Sequence, residues 1–343
     1  MTAKSVNLAL QGGGAHGAFT WGVLDRLLED ERLHVEAISG TSAGALNAVA
    51  VADGLVRGGT DAAKQCLHDL WQAISDVANW SPVHRAPLDI LMGNWSLDYS
   101  PGFWWSEVMS RVTSPYFFNP LDYNPLRDIV AAKVDFDSVR RCDSVKLFIS
   151  ATNVETGRVR VFDHKELTLD MVMASACLPL IFKAVEIDGV PYWDGGYMGN
   201  PSLFPFNRAT RSADIVIVQI NPIERKGTPT TAQEIMNRMN EITFNSSLLR
   251  ELRAIDFVRR LVEQGSLDGS DYRELRVHII ENQEKLNPLG ATSKLNAEWS
   301  FLEYLHDVGR DTASVWIDEH FESIGRRATV DLRSMFQGIG TAD

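Results

Sequence analysis

Two glycine-rich turns stand within the first 47 residues, and each lies between a short apolar run and a helical one. The first is Gln11-Gly-Gly-Gly-Ala-His-Gly17, after the apolar Val6–Leu10 and before a helical run from Ala18 to Glu31. The second is Gly40-Thr-Ser-Ala-Gly44, after Val35–Ile38 and before a second helical run. Strand, turn and helix repeated in this way predict a parallel α/β sheet. Both turns then sit at the carboxyl ends of neighbouring strands, where such sheets bind ligands.

The two turns offer complementary chemistry. A serine at the tip of a sharp strand-to-helix turn is forced into a strained backbone conformation. Its neighbours two residues away, Gly40 and Gly44, must be small to clear the strand and helix. Ser42 is therefore the candidate nucleophile, with the positive end of the following helix aimed at its oxygen. Gly12, Gly13 and Gly14 have no side chains, so their N–H groups can converge on an oxyanion. One such donor is typically worth about 10²–10³ in rate.

Gly12-x-Gly14-x-x-Gly17 also matches the dinucleotide fingerprint. That reading expects an acidic residue closing the second strand to hold a ribose hydroxyl, and this strand closes with Ser39-Gly40-Thr41-Ser42. An α/β-hydrolase places its serine turn after several strands, whereas only one strand and one helix precede this one. A lone Gly-x-Ser-x-Gly also arises by chance, so a downstream partner is needed.

Asp194-Gly195-Gly196 supplies it. A hairpin with an Asp188-Gly189 turn delivers Asp194 at a strand end, and the paired glycines let the chain bend there. Together the residues resemble the patatin-like phospholipase family. That family carries a G-G-G-x-[RK]-G segment, a G-x-S-x-G turn and a D-G-[GA] turn, with A-S-x-x-x-P between the last two. Ala174-Ser175-Ala176-Cys177-Leu178-Pro179 matches that fourth segment. The resemblance covers about residues 5–222 and departs at His16, which stands where the family has Arg or Lys. It implies a three-layer α/β/α fold with a mainly parallel central sheet. It also implies metal-free, cofactor-free hydrolysis of lipid acyl esters, such as phospholipids or lysophospholipids. The base is then Asp194, Gly12–Gly14 form the oxyanion hole, and Gly17, Gly40, Gly44, Gly195 and Gly196 support the turns. A catalytically silent lipid-binding scaffold, or an esterase or thioesterase acting on other acyl substrates, stays open beside it.

Between Val77 and Asn124 the composition changes. Four of the chain's nine tryptophans fall there, with Phe103, several tyrosines and Pro82, Pro87, Pro101, Pro115 and Pro120. A long aromatic insertion between core elements suggests a lid, with Phe103, Trp104 and Trp105 as acyl-pocket candidates, or a satellite cluster packed on the main domain. Residues 223–343 read as a C-terminal helical layer on the same domain. Thr231-x-x-Glu234 is its capping box, and a helix from Lys294 to Phe321 is expected to kink or break near Gly309.

The remaining features exclude functions. A net charge of −12 argues against a nucleic-acid surface and against strong electrostatic docking on anionic lipid. Three scattered cysteines read as reduced thiols, and the N-terminus runs into a strand without a secretory pattern, so a cytoplasmic protein with at most peripheral membrane contact is expected. No run of 18 apolar residues is present, no metal-ligand spacing is visible, and nothing fixes the oligomeric state. His278 alternates with Val277 and Ile279 in a strand, His306 falls in the C-terminal helix, and neither has a triad context.

Overall fold

A computed structural model describes residues 3–81, 83–267 and 273–337. Met1 and Thr2 ahead of the expected first strand, Pro82 of the insertion, and 268–272 and 338–343 of the expected C-terminal layer lie outside the described residues. Among the described residues eight strands form one sheet: β1 Lys4–Leu10, β2 Leu33–Gly40, β3 Lys146–Asn153, β4 Val159–Asp163, β5 Val185–Ile187, β6 Val190–Asp194, β7 Asp214–Val218 and β8 Arg276–Ile280. The order is β5-β6-β3-β2-β1-β7-β8, with β4 also on β3. The run β3-β2-β1-β7-β8 is parallel, and the hairpin β5–β6 and β4 join antiparallel. Helices cover the sheet, further helices follow the last strand, and the fold is the α/β/α class expected. The five residues of β7 are buried throughout, as a strand covered on both faces requires.

The register around β3 decides where the site forms. Phe148 and Ile149 pair with both β2 and β4, and Ala151 and Thr152 pair with both β4 and β6. A strand has two edges, so β2 and β6 share one edge of β3, end to end. Gly40 closes β2 opposite Ile149, and Asp194 closes β6 opposite Ala151. Two residues of strand separate those levels, roughly 7 Å. The turn after Gly40 and the turn after Asp194 therefore meet.

Helix α1 (Gly17–Leu28) starts one residue before the expected Ala18, and α2 (Ala43–Ala78) leaves directly from Ser42. The α2 path breaks at Gly58 and Gly59, where the sequence carries its glycine pair. The C-terminal part corrects one expectation. Trp299–His320 is a single helix, and Gly309 is neither a kink nor a break in it. Its role is close packing: a Cβ at Gly309 would stand 2.1 Å from the Phe19 carbonyl oxygen of α1, and one at Gly22 would stand 1.8 Å from that of His306. These glycines let the two backbones touch.

The insertion comprises the short helices Pro87–Leu91, Pro101–Val112 and Pro115–Phe118. Its base is anchored on the C-terminal helix. Trp95 stacks on Phe301 with ring centroids 5.0 Å apart, Arg85 lies over Trp95, and Arg85 donates to both carboxylate oxygens of Glu298. Its other end leans on the approach to β5, where Lys183 donates to the Pro120 carbonyl and the Ala184 N–H to the Tyr116 hydroxyl. Among the described residues no helix is long and apolar enough to cross a membrane.

Candidate active site

Ser42 has φ 53° and ψ −120°, a positive-φ conformation that a non-glycine residue adopts only when its surroundings hold it there. The surroundings are close. A Cβ on Gly44 would stand 2.3 Å from the Leu10 carbonyl oxygen, and one on Gly40 would stand 2.6 Å from that of Gly44. A Cβ on Gly12 would stand 2.8 Å from the Ser42 Cβ, so the two glycine-rich turns are in direct contact. Gly17 packs in the same way on Ala43. The Ser42 N–H donates to the Ser175 hydroxyl at 2.9 Å. Ser175 thus braces the turn, a role hidden from the sequence because it depends on contact across 133 residues.

Asp194 is fully buried. Its N–H donates to the Cys177 carbonyl, its carbonyl accepts from the Thr152 hydroxyl, and Oδ1 accepts from the Gly196 N–H at 2.7 Å. Gly195 fits against the Ser150 carbonyl and Thr41, which ties this turn to the serine turn, and Gly196 fits under Phe244. Oδ2 has no partner of full hydrogen-bond geometry. Burial pushes the Asp194 pKa up to about 6, against the lowering effects of the Gly196 N–H, the nearby Ser42 hydroxyl and Lys294. The carboxyl group is thereby a stronger base than an exposed aspartate.

The first glycine turn differs from expectation at one residue. The Gly12 N–H is already engaged by Asn200 Oδ1 at 2.7 Å, so it is not open to an oxyanion. Among the described residues no acceptor engages the N–H groups of Gly13 and Gly14. The loop is held by side chains distant in sequence. Gln11 Oε1 accepts from the Ile220 and Asn221 N–H groups, and Asn221 Nδ2 donates to the Gly12 carbonyl at 2.8 Å. His16 is buried, with Nε2 2.7 Å from the Ser293 hydroxyl. Burial, then Lys294 and Arg225, push its pKa down to about 3, so it is neutral where the family pattern carries a cation.

The aromatic candidates are not drawn into this cluster. Trp104 is 53% exposed and Trp105 70% exposed on the Pro101–Val112 helix, and Phe103 is half-buried beside them. Trp104 Nε1 donates to the Asp98 carbonyl. Two exposed indoles do not wall an enclosed acyl pocket. Phe117 and Leu121, further along the insertion, are exposed as well. A cavity of about 280 Å³ lies against the aspartate turn, lined by Trp193, Tyr197, Met198 and Pro179 among others.

The histidines lie elsewhere. His278 is buried between Asp214 and Thr329 on the far edge strand, and His306 binds Asp25 of α1. Among the described residues no cluster of His, Cys, Asp and Glu has the arrangement of a metal site.

The sequence model of the patatin-like phospholipase family matches residues 8–207. No curated protein matches the chain. Among solved structures it is similar to VipD from Legionella pneumophila, with 14% identity, a TM-score of 0.41, and coverage of 92% of this chain and 67% of that one. It is also similar to ExoU of Pseudomonas aeruginosa in its complex with SpcU, at 14% identity and a TM-score of 0.41. That match covers 94% of this chain and 52% of the other, so the chain spans about half of the ExoU chain's length. The family match takes in the two glycine turns and the aspartate turn, and by it the chain belongs to the patatin-like phospholipase family.

Proposed function

We propose that the protein hydrolyses lipid acyl esters through a Ser42–Asp194 dyad. The observation that carries this reading is the end-to-end meeting of β2 and β6 on β3, which brings a strained serine to a buried carboxyl group with one oxygen unpartnered. Ser42 Oγ attacks the acyl carbonyl carbon while its proton passes to Asp194 Oδ2. The oxyanion is met by the Gly13 and Gly14 N–H groups, with Gly12 holding the loop rather than donating. Collapse of the tetrahedral intermediate breaks the carbon–oxygen bond, and Asp194 returns the proton to the leaving alcohol. Water then attacks the acyl-serine, giving its proton to Asp194. Release of the carboxylic acid returns that proton to Ser42 Oγ.

The exposed aromatic residues of the insertion support contact with a lipid surface, since Trp and Tyr favour the boundary between water and hydrocarbon. We read residues 5–222 as the hydrolase core, with the insertion at 77–124, and residues 223–343 as part of the same domain. In support, β8 extends the sheet and the Trp299–His320 helix packs on α1.

The test is reaction with a fluorophosphonate probe followed by peptide mass mapping. The reading expects one adduct, on Ser42, and none in Ser42→Ala. A folded wild-type protein that takes no probe, or takes it at another residue, would overturn it.

A further inference from the structure

Residues 291–295, outside the matched family segment, pack on the first glycine turn. A Cβ on Gly14 would stand 2.3 Å from the Lys294 carbonyl oxygen, and Ser293 binds His16. The Lys294 side chain is half-buried in the same place. Its Nζ donates to Asn221 Oδ1 at 2.6 Å, and Asn221 Nδ2 donates to the Gly12 carbonyl at 2.8 Å. A lysine can only donate, so Asn221 must present its oxygen to Lys294 and its amide hydrogens to the loop. In a trans peptide the carbonyl and the following N–H point in opposite directions. The hydrogen bond on the Gly12 carbonyl therefore sets the direction of the Gly13 N–H, and a cation at the far end of the chain of bonds polarises that peptide.

We propose that Lys294 is a positioning residue of the Ser42 site. Through Asn221 it fixes and polarises the Gly12–Gly13 peptide, supplying from the C-terminal layer the charge that position 16 lacks. The proposal rests on the hydrolase reading above. Lys294 sees Glu241, Arg225, Asp194 and His16. Burial pushes its pKa down to about 8, with Arg225 lowering it further and Glu241 and Asp194 acting the other way. The ammonium is present below that pH and is lost as pH rises through it. Hydrolysis should accordingly fall on the alkaline side near pH 8, in addition to the acid-side rise set by Asp194.

The experiment measures kcat and KM against pH on a p-nitrophenyl ester for wild type, Ser42→Ala, Lys294→Met and Lys294→Arg, with melting curves for each. Lys294→Met should lower kcat about tenfold or more with KM within about twofold, since the oxyanion exists only after attack. Lys294→Arg should keep activity and move the alkaline fall upward, because a guanidinium does not titrate in this range. A folded Lys294→Met with wild-type kcat would overturn the proposal. If Lys294→Met does not fold, an alkaline limb unchanged in Lys294→Arg would overturn it. Both outcomes leave the hydrolase reading intact so long as wild type is active and Ser42→Ala is not. An inactive wild type would overturn both.

Discussion

Burial of Asp194 costs stability and makes its carboxyl group the stronger base that the proposed dyad needs. A carboxyl group whose pKa is raised on folding is less stably folded once pH rises through the window between its unfolded value, about 3.9, and the folded value of about 6. Two outcomes follow. Hydrolysis rises as pH increases through about 6, because only the ionised form accepts the serine proton. Asp194→Asn should be inactive yet melt no lower than wild type at neutral pH, since it removes a buried charge. A pH–rate profile and a melting curve check these, and a marked loss of stability in Asp194→Asn would mean that the carboxylate is structural. Ser175 gives a graded test. Ser175→Ala removes one hydrogen bond to the Ser42 N–H, worth about 0.5–1.5 kcal/mol, and should slow hydrolysis by about three- to tenfold without abolishing it. Wild-type kcat in that variant would show that the turn holds its conformation without the brace.

The insertion and the C-terminal helix can each be tested by substitution. Trp104, Trp105 and Phe117 are exposed, so replacing them with alanine should reduce hydrolysis of esters presented in vesicles more than that of short monomeric esters. Equal losses on both would mean that the aromatic face does not meet lipid. The helix Trp299–His320 depends on its glycine contact. Gly309→Val forces a side chain onto the Phe19 carbonyl and should cost roughly 1–3 kcal/mol by overpacking, seen as a lower melting midpoint. An unchanged midpoint would mean that the helices separate freely. These two elements also show where a sequence misleads. Tryptophan density marks an unusual segment but not which way its rings face. A glycine within a helical pattern reads equally as a break or as a close contact, and only the neighbouring helix distinguishes them.

For the whole molecule, what was legible in the sequence is what local geometry demands. The turns at Gly12–Gly14, Gly40–Gly44 and Asp194–Gly196 each need their glycines for contacts within a short stretch, and their spacing exposes them. The clamps on the loop have no such signature. Asn200, Asn221 and Lys294 come to Gly12 from 188 residues away or more, or through one another, and only the sheet order brings them there. The same distance hides the buried cluster at the opposite end of the sheet. Burial opposes ionisation of Asp214, but His278, Arg276 and the Gly325 N–H outweigh it and hold its carboxyl below the usual carboxylate range. That stability is present above about pH 3.9 and is lost as pH falls through the folded value. A His–Asp pair of this kind resembles part of a catalytic triad, yet it lies on β7 and β8, two and three strands from β2. The proposed dyad is tested by comparing hydrolysis of a p-nitrophenyl ester by Ser42→Ala, Asp194→Asn, His278→Ala and His306→Ala, each checked for folding. Losses of about 10³-fold or more are expected in the first two, and activity within a few-fold of wild type in the folded histidine variants. Retained activity in Asp194→Asn, with loss in a folded histidine variant, would contradict the dyad.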